Sequence, residues 1–157
     1  MNESARLATI ADVPRLVELA RLLRDELRPM KGGALWLQRE AWPEPLDDVY
    51  AELVGRADAH VVVGTIDDTA IGYGVVTIEV LQSGEPLGVI TDLFVEPEAR
   101  SVGVGECIAE MLITHCTEAG CVGIDALALP GHRAAKNFFE RNGLTARALT
   151  MHRDLRG

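Results

Sequence analysis

Apolar and polar positions alternate along this chain in two periods, and the switches between them divide it into elements. "ARLATI" alternates as a short first strand. From Val13 the period lengthens: Val13, Leu16, Val17, Ala20, Leu23 and Leu27 form one helical stripe, with Asp12 placed to cap it and Pro14 in its first turn. "MKGGALWLQREAWPEP" breaks that stripe with Gly, Pro and two Trp, and reads as a loop or broken helix. "LDDVYAELV" resumes a helix. "HVVVGTI" and "AIGYGVVTIEVL" are β-rich runs joined by the polar "DDT", hence a hairpin. Ser83–Pro86 turns the chain into "LGVITDLFV"; a glycine loop follows, then a helix ending near Gly120, a suitable C-cap. "VGIDALAL" reads as a strand, "HRAAKNFFERNG" as a helix stopped by Gly143, and "RALTMHRDL" as a closing strand. The order β-α-α-β-β-β-α-β-α-β predicts an α/β (α+β) domain around a mixed central β-sheet flanked by helices.

With 157 residues, 48% apolar and 25% charged, the chain suits one soluble domain over residues 1–157. No apolar stretch approaches the roughly 20 residues of a membrane helix, and "MNESARLATIADV" has neither the basic start nor the apolar run of a secretory signal. A cytoplasmic protein without a membrane partner is the expectation. Cys107, Cys116 and Cys121 are odd in number and lack C-x-x-C spacing, so they predict no disulfide framework; buried or inert thiols with no metal are the expectation, and a metal-binding thiol is the alternative. His115 beside Cys116 is the one hint of a reactive thiol.

A net charge of −9 argues against a nucleic-acid partner. Its distribution is uneven: residues 1–99 hold 8 Lys/Arg against 18 Asp/Glu, and residues 100–157 hold 7 against 6. A polyanion held by the second part and a cation by the first suits this split. Acidity kept for solubility suits it equally.

The informative stretch is "EPEARSVGVGECI", where Arg100–Gly105 joins an apolar strand to a helix. A P-loop needs Gly-Lys-Ser/Thr, and Glu106 follows Gly105. A dinucleotide fingerprint needs a third glycine where Ile108 stands, with a chain layout that is absent. What remains is R-x-x-G-x-G, whose glycines expose main-chain N–H groups beside a helix's positive end, a site for pyrophosphate. A plain strand-to-helix turn needing glycine is the alternative.

"ITDLFVEPEARSVGVGECIAEML", "AAKNFFERNGL" and "MHRDL" together resemble the fourth strand, pyrophosphate loop, third helix, fourth helix and closing strand of the GNAT superfamily of acetyl-CoA-dependent N-acetyltransferases. The resemblance spans nearly the whole chain in element order and is strongest over 87–155. It implies that main-chain groups of Leu93, Phe94 and Val95 hydrogen-bond the pantetheine arm of acetyl-CoA, as a peptide adds to a strand edge. It further implies that Arg100, Ser101, Val102, Gly103, Val104 and Gly105 hold the pyrophosphate. The implied reaction is direct attack of a neutral primary amine on the thioester through a tetrahedral oxyanion, with N–H groups near Val95 suited to stabilise that charge.

Two positions depart from the family pattern. Phe139 stands where a tyrosine usually reprotonates the thiolate, and His132 where an asparagine is usual. Phenylalanine donates no proton, so His132 is the substitute donor by sequence, with capping or coenzyme contact as its other readings. Asp92 is the first candidate for the base, because it interrupts an apolar strand. A structural hydrogen bond or binding of a cationic substrate would also explain it. Glu96 and Glu79 follow. Tyr73 is a candidate pocket wall; Trp36 and Trp42 are either a lid or packing. Arg133, Lys136 and Arg141 give the last helix a basic face, Arg133 being the one considered for the adenosine 3′-phosphate. An N-acetyltransferase for a small-molecule or protein amine, possibly cationic and homodimeric by analogy, is thus expected; a coenzyme A-binding sensor and a transferase of longer acyl groups are the competing readings.

Overall fold

The structure, a computed structural model, describes residues 1–100 and 102–157. Strands β1 (Glu3–Leu7), β2 (Ala59–Ile66), β3 (Thr69–Val80), β4 (Pro86–Val95) and β5 (Ile124–Ala126) form one sheet in that order. The first three pairings are antiparallel and β4–β5 is parallel. Helices α1 (Val13–Leu27), α2 (Gly33–Arg39) and α3 (Leu46–Gly55) precede β2; α4 (Val104–Glu118) and α5 (Arg133–Arg141) flank β5 in sequence. The mixed sheet and element order agree with the sequence reading up to α5.

Side-chain alternation divides the sheet between two cores. Val61, Val63, Tyr73, Val75 and Phe94 pack with α1 and α3, while Val62, Val76, Ile90 and Val95 pack with Val104, Ile108 and Leu112 of α4. Glycines in the sheet let α4 sit close: a Cβ on Gly64 would lie 2.6 Å from both Ile108 Cδ1 and Val104 Cγ1. The β2–β3 hairpin turns on Asp67 and Asp68, both at positive φ (48° and 69°), a conformation that short polar residues tolerate and whose twist matches a tight hairpin.

The Trp36 part of the broken segment forms the short helix α2, as the loop or broken-helix reading allowed; Leu27 O and Arg28 O lie so near Gly33 that only glycine fits where it starts. Three details differ from the sequence reading. Asp12 does not cap α1: its carboxylate pairs with Arg6 at 2.8 Å and accepts the Thr9 N–H at 2.8 Å, and the Arg6 hydrogen bond pulls it down to about 2. The "VGIDALAL" strand is only three residues long. "RALTMHRDL" is not a strand; residues 144–154 adopt no helix or strand, and Leu149 and Met151 are 84% and 87% exposed.

The close seat of α4 gives a direct prediction. Gly64→Ala should lower stability by about 1–3 kcal/mol through overpacking, measured as a drop in the urea midpoint at unchanged m-value; an unchanged midpoint would mean that α4 does not depend on this contact.

Candidate active site

β4 is paired along its whole length to β3, but its parallel partner β5 reaches only Gly88, Val89 and Ile90. Beyond Ile90, therefore, the main chain of 91–95 has no strand on that side among the described residues. A cleft of about 400 Å³ opens there. Its walls are β4 from Ile90 to Val95, Leu23, Glu26 and Leu27 at the end of α1, Trp36, and α5 with its leading His132; Gly105 of α4 lies at one end.

A β-bulge at the mouth of this opening decides what faces it. Val75 pairs with Asp92 and Val76 with Ile90, leaving Thr91 as the extra residue. Strict alternation would put Ile90, Asp92 and Phe94 on one face. Instead Ile90 joins the α4 core, whereas Asp92 and Phe94 turn toward α1 and α3. Asp92 is only 6% exposed, and its charge is met by four donors. Trp42 Nε1 (3.0 Å) and Thr91 Oγ1 (2.7 Å) donate to Oδ1; Tyr73 OH (2.7 Å) and Tyr50 OH donate to Oδ2. A buried carboxylate tolerates its loss of water only with such a set. Burial, then the Asp92 charge, raises both tyrosine hydroxyls far above the ordinary range, so each remains a donor. The two rings meet edge to face at 6.0 Å.

A second charged group crosses the cleft. Arg100 donates from Nε to Val95 O (2.8 Å), lies 2.7 Å from Glu26 Oε1 and covers the Phe94 ring at 5.3 Å. In this arrangement its guanidinium is paired with protein groups while still lining the cleft, where the sequence expectation is a phosphate contact. His132 Nε2 stands 4.0 Å from Glu26 Oε2. Burial holds the His132 imidazole below its usual pKa, with Glu26 opposing and nearby Arg100 adding to the shift, so it is mainly neutral at pH 7. A neutral imidazole accepts a proton more readily than it donates one, whereas the sequence expectation for His132 is a donor.

In the glycine loop the two glycines have different reasons. Gly103, at φ +90°, occupies the left-handed region just before α4. Gly105 is in the first turn of α4, where a Cβ would lie 2.9 Å from the Phe138 ring, so its small size lets α5 approach. Val104 is a core residue at 0% exposure and Val102 packs partly against the same core; both are available through backbone only. Ser101 lies outside the described residues. Leu93, Phe94 and Val95 all line the cleft.

The family model for the acetyltransferase (GNAT) family matches residues 17–144. The chain belongs to the GNAT acetyltransferase family. Solved structures share the GNAT fold at low identity. Glucosamine-6-phosphate N-acetyltransferase from Arabidopsis thaliana is 19% identical with a TM-score of 0.72, covering 99% of each chain. The aminoglycoside acetyltransferase meta-AAC0020 from an uncultured soil metagenomic sample, solved with sisomicin, is 18% identical with a TM-score of 0.73, covering 97% of this chain and 94% of that one. The tetramutant of the BH1408 protein from Bacillus halodurans is 20% identical with a TM-score of 0.81, covering 96% and 99%. No curated protein matches the sequence.

Set on this GNAT fold, the remaining candidates separate. Phe139 lines the cleft and packs edge to face on Phe138, 5.6 Å away, with no O–H to offer. Glu96 pairs with Arg15, and Glu79 is exposed on β3. Trp36 is buried in the first core and also lines the cleft; Trp42 is tied down through its N–H. Lys136 pairs with Glu140 and Arg141 with Glu106, while Arg133 is exposed. Burial, with Cys121 adding, pushes the Cys116 thiol up to about 12, so thiolate chemistry there is disfavoured. His115 does not serve Cys116; it stacks on His60 with ring centroids 3.9 Å apart. Among the described residues no helix is long and apolar enough to cross a membrane.

Sequence reasoning missed Tyr50 and Glu26. Tyr50 shares a buried stripe with Leu46 and Leu53, a spacing that marks its hydroxyl as needing an internal partner. Glu26 sits between Leu23 and Leu27 at the end of the α1 stripe, but nothing local names its partners. Asp92→Asn should cost about 1–3 kcal/mol, because one amide N–H₂ then faces hydroxyl or indole donors; thermal and urea unfolding read this, and stability equal to wild type would dissolve the four-donor arrangement.

Proposed function

We propose that the protein is an acetyl-CoA-dependent N-acetyltransferase that acetylates a primary amine of a small molecule or protein. The observation that carries this reading is the main chain of 91–95 of β4, which has no strand neighbour on the β5 side among the described residues, beside a cleft that Gly105 of α4 also lines. An extended pantetheine arm fits a strand lacking a neighbour, and the left-handed turn at Gly103 leads into the N–H groups of a 15-residue helix, where a pyrophosphate is favoured. When bound, acetyl-CoA supplies an activated acyl group.

The chain's own residues then have these proposed roles. Asp92, fixed by Trp42, Thr91, Tyr50 and Tyr73, provides a negative charge that draws an ammonium and serves as the base. His132, neutral at pH 7, takes protons at the α5 end of the cleft. Glu26 holds Arg100 and biases His132. The carboxylate of Asp92 in the cleft lining favours a cationic acceptor, as does the acidic balance of residues 1–99. Phe139 favours one second reading, a coenzyme A-binding sensor with little turnover, since it supplies no general acid.

Thiol release from acetyl-CoA over a panel of polyamines, aminoglycosides and lysine peptides tests the proposal, with calorimetry of coenzyme A binding alongside. Turnover on any amine supports the enzyme; binding without turnover favours the sensor; neither defeats both. For an active amine, kcat/KM should fall on the acid side through a group below the ordinary histidine value of 6.5. Removing Glu26 takes away the interaction that raises His132, so Glu26→Gln should move that limb to lower pH, and His132→Ala should abolish it. A limb unchanged in both variants would take His132 out of the reaction.

A further inference from the structure

α4 ends in a turn that brings two cysteines together. In an uninterrupted helix a step of five residues would set Cys116 and Cys121 about 140° apart around the axis. Gly120 prevents this by taking the left-handed conformation, φ +78°. The chain folds back, the Cys121 N–H donates to Cys116 O at 3.0 Å, and the Gly120 N–H donates to Thr117 O at 3.1 Å. A paired closure of this kind commonly puts the side chains at the ends of its longer loop in contact. Here those two side chains are thiols. Both belong to the core beneath α4, Cys116 as a buried member and Cys121 packed against it.

The two thiols differ in access. Cys116 is 3% exposed and sits over Gly88 of β4, where a Cβ would lie 2.4 Å from its Sγ. Cys121 is half-buried, so it is the sulfur that a reagent meets first. Burial, then the nearness of Cys121, keeps the proton on Cys116 until a bond to Cys121 is to be made. The turn is also tied to the sheet: Val122 N–H donates to Pro86 O at 2.9 Å, and Gly88 N–H donates to Gly123 O at 3.0 Å. A disulfide spans Cα separations of about 4.4–6.8 Å, and the main-chain bond between Cys116 and Cys121 already holds their backbones close.

We propose that Cys116 and Cys121 are an oxidisable dithiol, which a small-molecule disulfide converts to an intramolecular disulfide across the end of α4. The Cys121 thiolate attacks one sulfur of the reagent, forming a mixed disulfide and releasing one thiolate. That thiolate takes the Cys116 proton, and Cys116 then attacks Cys121 Sγ. The Cys116–Cys121 bond forms, the mixed disulfide breaks, and the second reagent thiolate leaves and takes a proton from solvent. The protein is oxidised by two electrons and the reagent is reduced to two thiols. Cys107, also half-buried, is the internal contrast: burial and the charges of Glu3, Glu110 and Glu106 raise its pKa, which makes it a poor attacking group. The new bond would pin α4 to residues 121–123, which lead into β5, the strand whose departure from β4 opens the cleft. The inference stands on the turn and its thiols and does not need the proposed acetyl transfer.

Mass spectrometry of the full chain after incubation with oxidised glutathione tests this. The intact mass should fall by two hydrogens and return with dithiothreitol. Cleavage after glutamate cuts at Glu118, between the two cysteines, so residues 111–118 and 119–140 should appear as one disulfide-linked pair while Cys107 remains free for alkylation. Cys116→Ala should stop the reaction at a glutathione adduct on Cys121. Should that variant not fold, the wild type unfolded in urea replaces it: there the links should spread to pairs that include Cys107. A link to Cys107 in the folded chain, a glutathione adduct that persists on folded wild type, three thiols still free, or equal selectivity with and without urea would each overturn the proposal.

Discussion

A β-strand that loses its neighbour halfway along must leave main-chain donors and acceptors to something other than a ladder. In this protein β4 is that strand. β3 pairs it from Pro86 to Val95, and β5 leaves it after Ile90. The cleft, its lining by 91–95 and the approach of α5 across it all follow from that one departure. A parallel strand continuing past Ile90 would close the cleft and seal the same backbone inside the sheet.

The bulge at Thr91 works at the same place by a different means. One extra residue reverses which face the rest of β4 presents, carrying Asp92 from the α4 side to the α1–α3 side. A carboxylate cannot be left bare there, so donors arrive from three separate places: Tyr50 on α3, Tyr73 on β3, and Trp42 in the segment before α3. The cluster joins elements distant in the chain, and in doing so it fixes the acidic side of the cleft. Across the opening, Glu26 divides its oxygens between Arg100 and His132. The arginine is thereby tethered to protein groups at the cleft wall, and the histidine at the head of α5 is kept near a charge that tempers its desolvation.

Residue pattern alone determined much of this protein. Period-3.6 stripes marked α1 and α3, period-2 runs marked β2, β3 and β4, and glycines at 120 and 143, both at positive φ, marked where α4 and α5 stop. These are local matters, set by which face of an element must avoid water and by backbone conformations that only glycine adopts cheaply. Asp92 was likewise recognisable as the polar break in an apolar strand, whereas Leu93, Phe94, Val95 and His132 were named only through the resemblance to the GNAT family.

Tertiary structure alone decided the rest. Whether "RALTMHRDL" ladders depends on how it meets a sheet edge, which no alternation can state, and here it touches β5 only through the Arg147–Asp125 side-chain pair and forms no strand. The side to which Asp92 points depended on a bulge, a relation between two strands rather than a property of either. Arg100 found its carboxylate partner in Glu26, some seventy residues away in sequence, and His132 owes its neutrality to burial in the cleft, which Glu26 only opposes, because electrostatic surroundings belong to the folded arrangement and not to the order of residues.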